Sequence, residues 1–102
     1  NAARNLPRVK KAAMLFYKLC EKNNDKFGEI EFDDKDYNEG YGEVIGILED
    51  KLHLDYDGEK TGPIQITKEI ARLLKKGDTV NLVVGRKGKL WYPLEAGNVY
   101  PG

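Results

Sequence analysis

The sequence predicts an α+β domain: an N-terminal helix packed on a small antiparallel, partly closed β-barrel or sheet, with one short helix inserted between strands. Three observations carry this. Apolar residues over 6–23 recur at three- and four-residue steps, the period of one helical face. From residue 28 onward most apolar residues alternate in short runs bounded by Gly, Asn, Asp and Pro, the period of half-buried strands. Thr67, followed by Ile70, Leu73, Leu74 and Gly77, reads as a capped helix lying between two such runs.

Each element follows from its residues. In the first helix, Asn5 serves as a cap, and Pro7 is tolerated in the first turn. Leu6, Val9, Ala12, Ala13, Phe16, Leu19 and Cys20 share a face, with Arg8, Lys11, Lys18 and Lys22 opposite, and Asn23 and Asn24 end the helix. Ile30 and Phe32 alternate with Glu29 and Glu31, which predicts a strand over 28–32, followed by an acidic loop over 33–42. Residues 43–48 and 51–56 read as a hairpin, with turns at Asp57–Gly58 and Gly62–Pro63 and a short strand at Ile64–Ile66. Thr67 caps a helix over 68–76, and Gly77 stops it. Thr79 to Val84 is the clearest strand; it turns at 85–88 into a partner over 89–92 that Pro93 ends, leaving an irregular tail over 95–102. Antiparallel hairpins of this length cannot bury a face alone, so they must close on one another or pack on the first helix.

The chain of 102 residues is 40% hydrophobic and 33% charged, enough for one packed core under a strongly charged surface. The Asn-Ala start reads as the remnant of a cleaved tag, so residues 1–2 are set aside and 3–102 are expected to be one domain cut from a longer protein. No apolar run is long enough to cross a bilayer, so no membrane partner is expected. A single cysteine, Cys20, and the lack of an Asn-x-Ser/Thr sequon point to a cytoplasmic setting.

The formal charge of zero hides a partition. Residues 1–26 carry seven basic and two acidic side chains, net +5; residues 27–59 carry two and twelve, net −10; residues 60–102 carry eight and three, net +5. Either the acidic middle lies against the basic ends, or the charged surfaces face partners of opposite sign.

Catalytic constellations are missing from the sequence. There is no serine, which excludes a Ser-His-Asp triad, and the one histidine, His53, sits mid-strand on the polar side. There is no Cys-x-x-Cys, no histidine pair and no phosphate-binding Gly-rich loop ending in Lys-Ser/Thr. Asp34, Asp36 and Asn38 alternate as in a calcium loop. However, Glu39 stands where the sharp turn needs Gly, and Ile45 where a bidentate Glu belongs. The expectation is therefore a non-catalytic domain without cofactor or metal.

Two binding readings remain. A protein partner would contact the acidic segment Glu29–Glu43 through Tyr37 and Tyr41, aromatics set beside glycines and acids. Alternatively, Arg86, Lys87 and Lys89 crowd a hairpin turn beside Trp91, a combination suited to nucleic acid: cations for phosphates, an aromatic face for a base.

Residues 62–84, GPIQITKEIARLLKKGDTVNLVV, resemble the repeat unit of AbrB- and MazE-type swapped-hairpin domains. In that unit a Gly and a short strand run into a brief helix, then Gly-Asp and a second strand. The resemblance covers under a quarter of the chain, with Pro63, Thr67 and Ala71 in place of the family's usual basic residue, Pro and frequent Arg. It implies a homo-oligomer whose paired units bind DNA or a protein partner.

Overall fold

Val44, Leu52, Leu54, Ile64, Val80, Leu82 and Val84 are all fully buried, and each comes from an alternating run. They fill a barrel, seen in a computed structural model that describes residues 2–102, with side chains from residue 7 onward. The elements are α1 (Ala2–Phe27), a 3₁₀ turn (Asp34–Asp36), β1 (Tyr37–Asn38), β2 (Tyr41–Leu48), β3 (Lys51–Tyr56), β4 (Glu59–Gln65), α2 (Lys68–Leu73), β5 (Thr79–Lys87) and β6 (Leu90–Tyr100).

Strands β2, β3 and β4 form an antiparallel meander, β5 and β6 a hairpin, and β5 returns to pair with β2. A parallel contact between β4 and β6, at Ile64 opposite Trp91, closes the ring. The α+β class and the barrel are as expected, but the barrel is closed and mixed rather than wholly antiparallel. Strand β1 is an extra piece laid on β5, with Tyr37 opposite Gly85 and Asn38 opposite Val84. Residues 62–84 run strand, helix, turn, strand, and β6 lies between β4 and β5 in the sheet.

Helix α1 lays Val9, Ala12, Phe16 and Cys20 against β6 and α2, the face its period marks. One clasp fixes its angle. Asp78, 1% exposed, accepts two hydrogen bonds from Arg8 at 2.7 and 3.1 Å, one from the Lys75 amide at 2.8 Å and one from the Gly102 amide at 3.2 Å. Arg8 also donates to the Leu73 carbonyl at 2.6 Å, so one carboxylate joins α1, the end of α2 and the C-terminal segment. Burial pushes the Asp78 carboxyl up, but the Arg8 hydrogen bonds and the two amides outweigh it and hold it below the usual range.

Several boundaries differ from expectation, each for a tertiary reason. The first helix does not end at Asn23–Asn24. Asn23 donates to the Pro93 carbonyl at 2.8 Å and Asn24 to that of Leu94 at 2.9 Å, so both are held as helical residues against β6. The stop is Gly28, whose φ of 66° suits a residue without Cβ and whose amide bonds the Asn24 carbonyl. No strand forms over 28–32, because β5 already has β6 along one edge and β2 and β1 along the other. The segment instead crosses the outside of the barrel irregularly. Helix α2 stops at Leu73 because Asp78 draws the Lys75 amide out of the helical path and Gly77 donates to the Val44 carbonyl. Pro93 does not end β6: it sits opposite Val84 beside a register shift, the kind of irregularity where a strand tolerates proline, and the strand runs on to Tyr100.

Candidate functional site

The outward face of β5 organises the surface. Val80, Leu82 and Val84 point into the barrel, so Thr79, Asn81, Val83 and Gly85 point out. Register places neighbours on that face: Glu43 and Tyr100 beside Thr79, Tyr41 beside Asn81, Glu95 beside Val83, and Tyr37 beside Gly85. Tyr37 and Tyr41 thus stand four β5 positions apart, about 13 Å along the strand. Both are exposed, at 37% and 61%. The Tyr41 ring lies 6.2 Å from that of Tyr100, also exposed.

Between Tyr37 and the end of α1 an open groove of about 480 Å³ runs over Val83 and Leu94. Ile30, Phe32 and Asp34 form its far wall, with Asn24, Glu31 and Glu95 on the rim. The segment that fails to form a strand builds this wall. Phe32 lies over Gly85 so closely that a Cβ there would be 2.8 Å from the ring. A second groove, of about 360 Å³, shares Asn24, Leu94 and Glu95 and continues along Tyr17, Glu21 and Ala96.

Acidic side chains act on the titratable groups beside the groove. The Tyr37 hydroxyl is pushed above its ordinary value by burial first, then by its 3.1 Å hydrogen bond to Glu39, with the charges of Glu39 and Glu95 adding. Glu95 also adds to the effect of burial in raising the Cys20 thiol to about 12, so that thiol stays protonated. Among the described residues one ion pair joins the acidic middle of the chain to its basic ends, Arg86 to Asp36 at 2.7 Å. Glu29, Glu31, Asp34 and Glu95 have no Lys or Arg within ion-pair distance among the described side chains.

The basic hairpin is arranged differently. Trp91 is buried, 7% exposed, and Arg86 lies over its ring at 5.3 Å while its Nε donates to Asp36 at 2.8 Å. Lys87 stands over the Phe27 ring at 5.0 Å. Lys89 is exposed beyond the Gly88 turn. Arg86, its side chain 39% exposed, therefore lies over a buried Trp91, and Lys87 and Lys89 are exposed beside them.

Tyr100, Val83, Leu94, Glu95 and Ile30 join Tyr37 and Tyr41 on this wall without having been singled out in the sequence. The available signal was the alternation Asn98–Val99–Tyr100, which marks Tyr100 as outward once the tail is taken as strand. Among the described residues, no group of three or more His, Cys, Asp or Glu converges as metal ligands would, and no helix is long and apolar enough to cross a membrane. Comparison with protein-family models, curated proteins and solved structures finds no match to this chain.

Proposed function

We propose that this domain is a non-catalytic protein-binding module whose contact surface is the outward wall of β5, with Tyr37 and Tyr41 as aromatic anchors. The observation that carries the reading is the placement of three exposed tyrosines and an open groove of mixed polar and apolar lining, floored by Val83 and Leu94, on one wall held by strand register. Tyrosines are enriched at protein interfaces, and a contiguous apolar patch with a polar rim is the usual form of a docking site. The free, buried Cys20 fits a cytoplasmic setting. Quantitative affinity enrichment from a nuclease-treated extract tests the reading. Proteins captured by the wild type are lost with Tyr37→Ala/Tyr41→Ala and retained with Lys87→Glu/Lys89→Glu. An unchanged set with the tyrosine pair removed refutes it.

The second reading, nucleic-acid binding through the basic hairpin, is favoured by topology. Counted from β2, the strands follow the order 1-2-3-5-4 with a helix between the third and fourth, the connectivity of the OB barrels that bind oligonucleotides. That is an analogy of fold alone. The chemistry favours it less: across β3 and β4 the outward side chains are Lys51, His53, Asp55, Lys60 and Gln65, and the Glu49–Asp50 turn is acidic. Trp91 offers no open ring on which a base stacks.

A further inference from the structure

We infer that the groove between Tyr37 and the end of α1 takes a basic segment of a protein partner, a Lys or Arg stem lying on Val83 and Leu94 and its head among Glu31, Asp34 and Glu95. This rests on the protein-binding reading and names the partner's chemistry.

The lining selects it. Val83 and Leu94 form an apolar floor, Tyr37 and Phe32 supply rings, and three carboxylates stand around them with no Lys or Arg within ion-pair distance among the described residues. A neutral apolar segment would strip water from those carboxylates and return nothing for it, and an acidic or nucleic-acid ligand would meet like charge. A Lys or Arg side chain satisfies both parts at once: its methylenes cover apolar surface while its charged end stays among acids, and aromatic rings attract the cation. The protein contains this arrangement elsewhere. Arg86 lies between the Trp91 ring and the Asp36 carboxylate, on the strand that floors the groove. The second groove continues from the first through Asn24, Leu94 and Glu95 to Tyr17, a track longer than one side chain and suited to a peptide segment.

The test titrates isotope-labelled protein with three synthetic peptides that share one apolar framework and carry Lys/Arg, Gln or Glu at the charged positions. The basic peptide produces saturable NMR shifts at Ile30, Val83 and Leu94. Its affinity falls about tenfold in Glu31→Gln/Asp34→Asn/Glu95→Gln and is unchanged in Lys87→Glu/Lys89→Glu. All three acids are solvent-exposed, so the variant folds, and its amide spectrum outside the groove verifies this. Equal binding of the Gln peptide, or no loss in the triple variant, overturns the inference. Self-association seen by sedimentation at low salt and abolished by the triple variant makes the occupant a second copy and also overturns it. If no basic peptide binds while capture of proteins still depends on Tyr37 and Tyr41, the inference falls and the protein-binding reading stands. Loss of both results removes both.

Discussion

Replacing Asp78 by Asn tests whether one carboxylate holds α1 to the barrel. The side chain is 1% exposed and takes four hydrogen bonds, two of them from Arg8. The substitution keeps the shape, removes the charge and turns an NH₂ toward donors. Breaking a buried ion pair from one side costs about 3–5 kcal/mol. Arg8 keeps the Leu73 carbonyl, and its side chain is 15% exposed, so the loss sits at the lower end, about 3 kcal/mol. For a domain of this size that lowers Tm by about 10–15 °C. Arg8→Met costs less, about 2 kcal/mol, because Asp78 retains the Lys75 and Gly102 amides. The double variant is then only slightly worse than Asp78→Asn alone, a coupling of roughly 1.5–2 kcal/mol. The pH dependence has a definite sign. A carboxyl held below its unfolded value near ~3.9 contributes fully above that pH, and the contribution is lost as pH falls through the folded value. Wild type therefore loses stability below pH ~4 more steeply than Asp78→Asn. Thermal and urea unfolding of the four proteins at neutral and acid pH provide the check. A Tm change under about 3 °C, or additive single effects, refutes the clasp.

Three other outcomes follow from the geometry. Gly85→Ala places a methyl 2.8 Å from the Phe32 ring, so it displaces that ring, costs about 1–3 kcal/mol by urea unfolding and reshapes the groove wall, whereas Gly46→Ala, with open space around it, does not disturb the groove. Cys20, buried and with its thiol raised to about 12, reacts with a thiol reagent only as the chain opens; fast labelling of native protein at pH 8 contradicts its placement. If nucleic acid binds at the basic hairpin, Lys87→Glu/Lys89→Glu weakens binding in a titration and reduces the salt slope by about 2; an unchanged slope removes that site.

What could be read from the sequence was what local periodicity governs. The buried face of α1 is visible because Val9, Ala12, Phe16 and Cys20 repeat at helical steps. The same logic misreads Asn23 and Asn24 as a stop, since the carbonyls that hold them lie 70 residues away in β6. Ile30 and Phe32 alternate as a strand does, but alternation cannot show that β5 has no free edge to pair with. Tyr37 and Tyr41 stand out because glycines and acids surround them in sequence. Tyr100, Val83 and Glu95 do not, because they join the wall only through the pairings of Thr79 with Tyr100 and Val83 with Glu95. A site assembled by register is invisible to any window shorter than the separation of its strands.

The charge partition gains its meaning from the same assembly. Self-neutralisation by contact would pair the acids of 27–59 with the cations at either end, yet among the described residues Arg86–Asp36 is the single contact of that kind. The others keep the two charges apart: Arg8–Asp78 lies within the basic ends and Lys51–Asp50 within the acidic middle. Helix α1 shows the consequence on its own two flanks. Lys18 and Lys22 face α2 beside Leu15 and Leu19, while Tyr17, Glu21 and Asn24 face Leu94 and Glu95. Solvated charges kept apart at net zero confer little solubility that mixed charges would not, whereas a wall of one sign orients an approaching partner and rejects the wrong one. On the protein-binding reading proposed above, the acids around the β5 wall would serve as a selectivity rim for the groove that Tyr37, Val83 and Leu94 line.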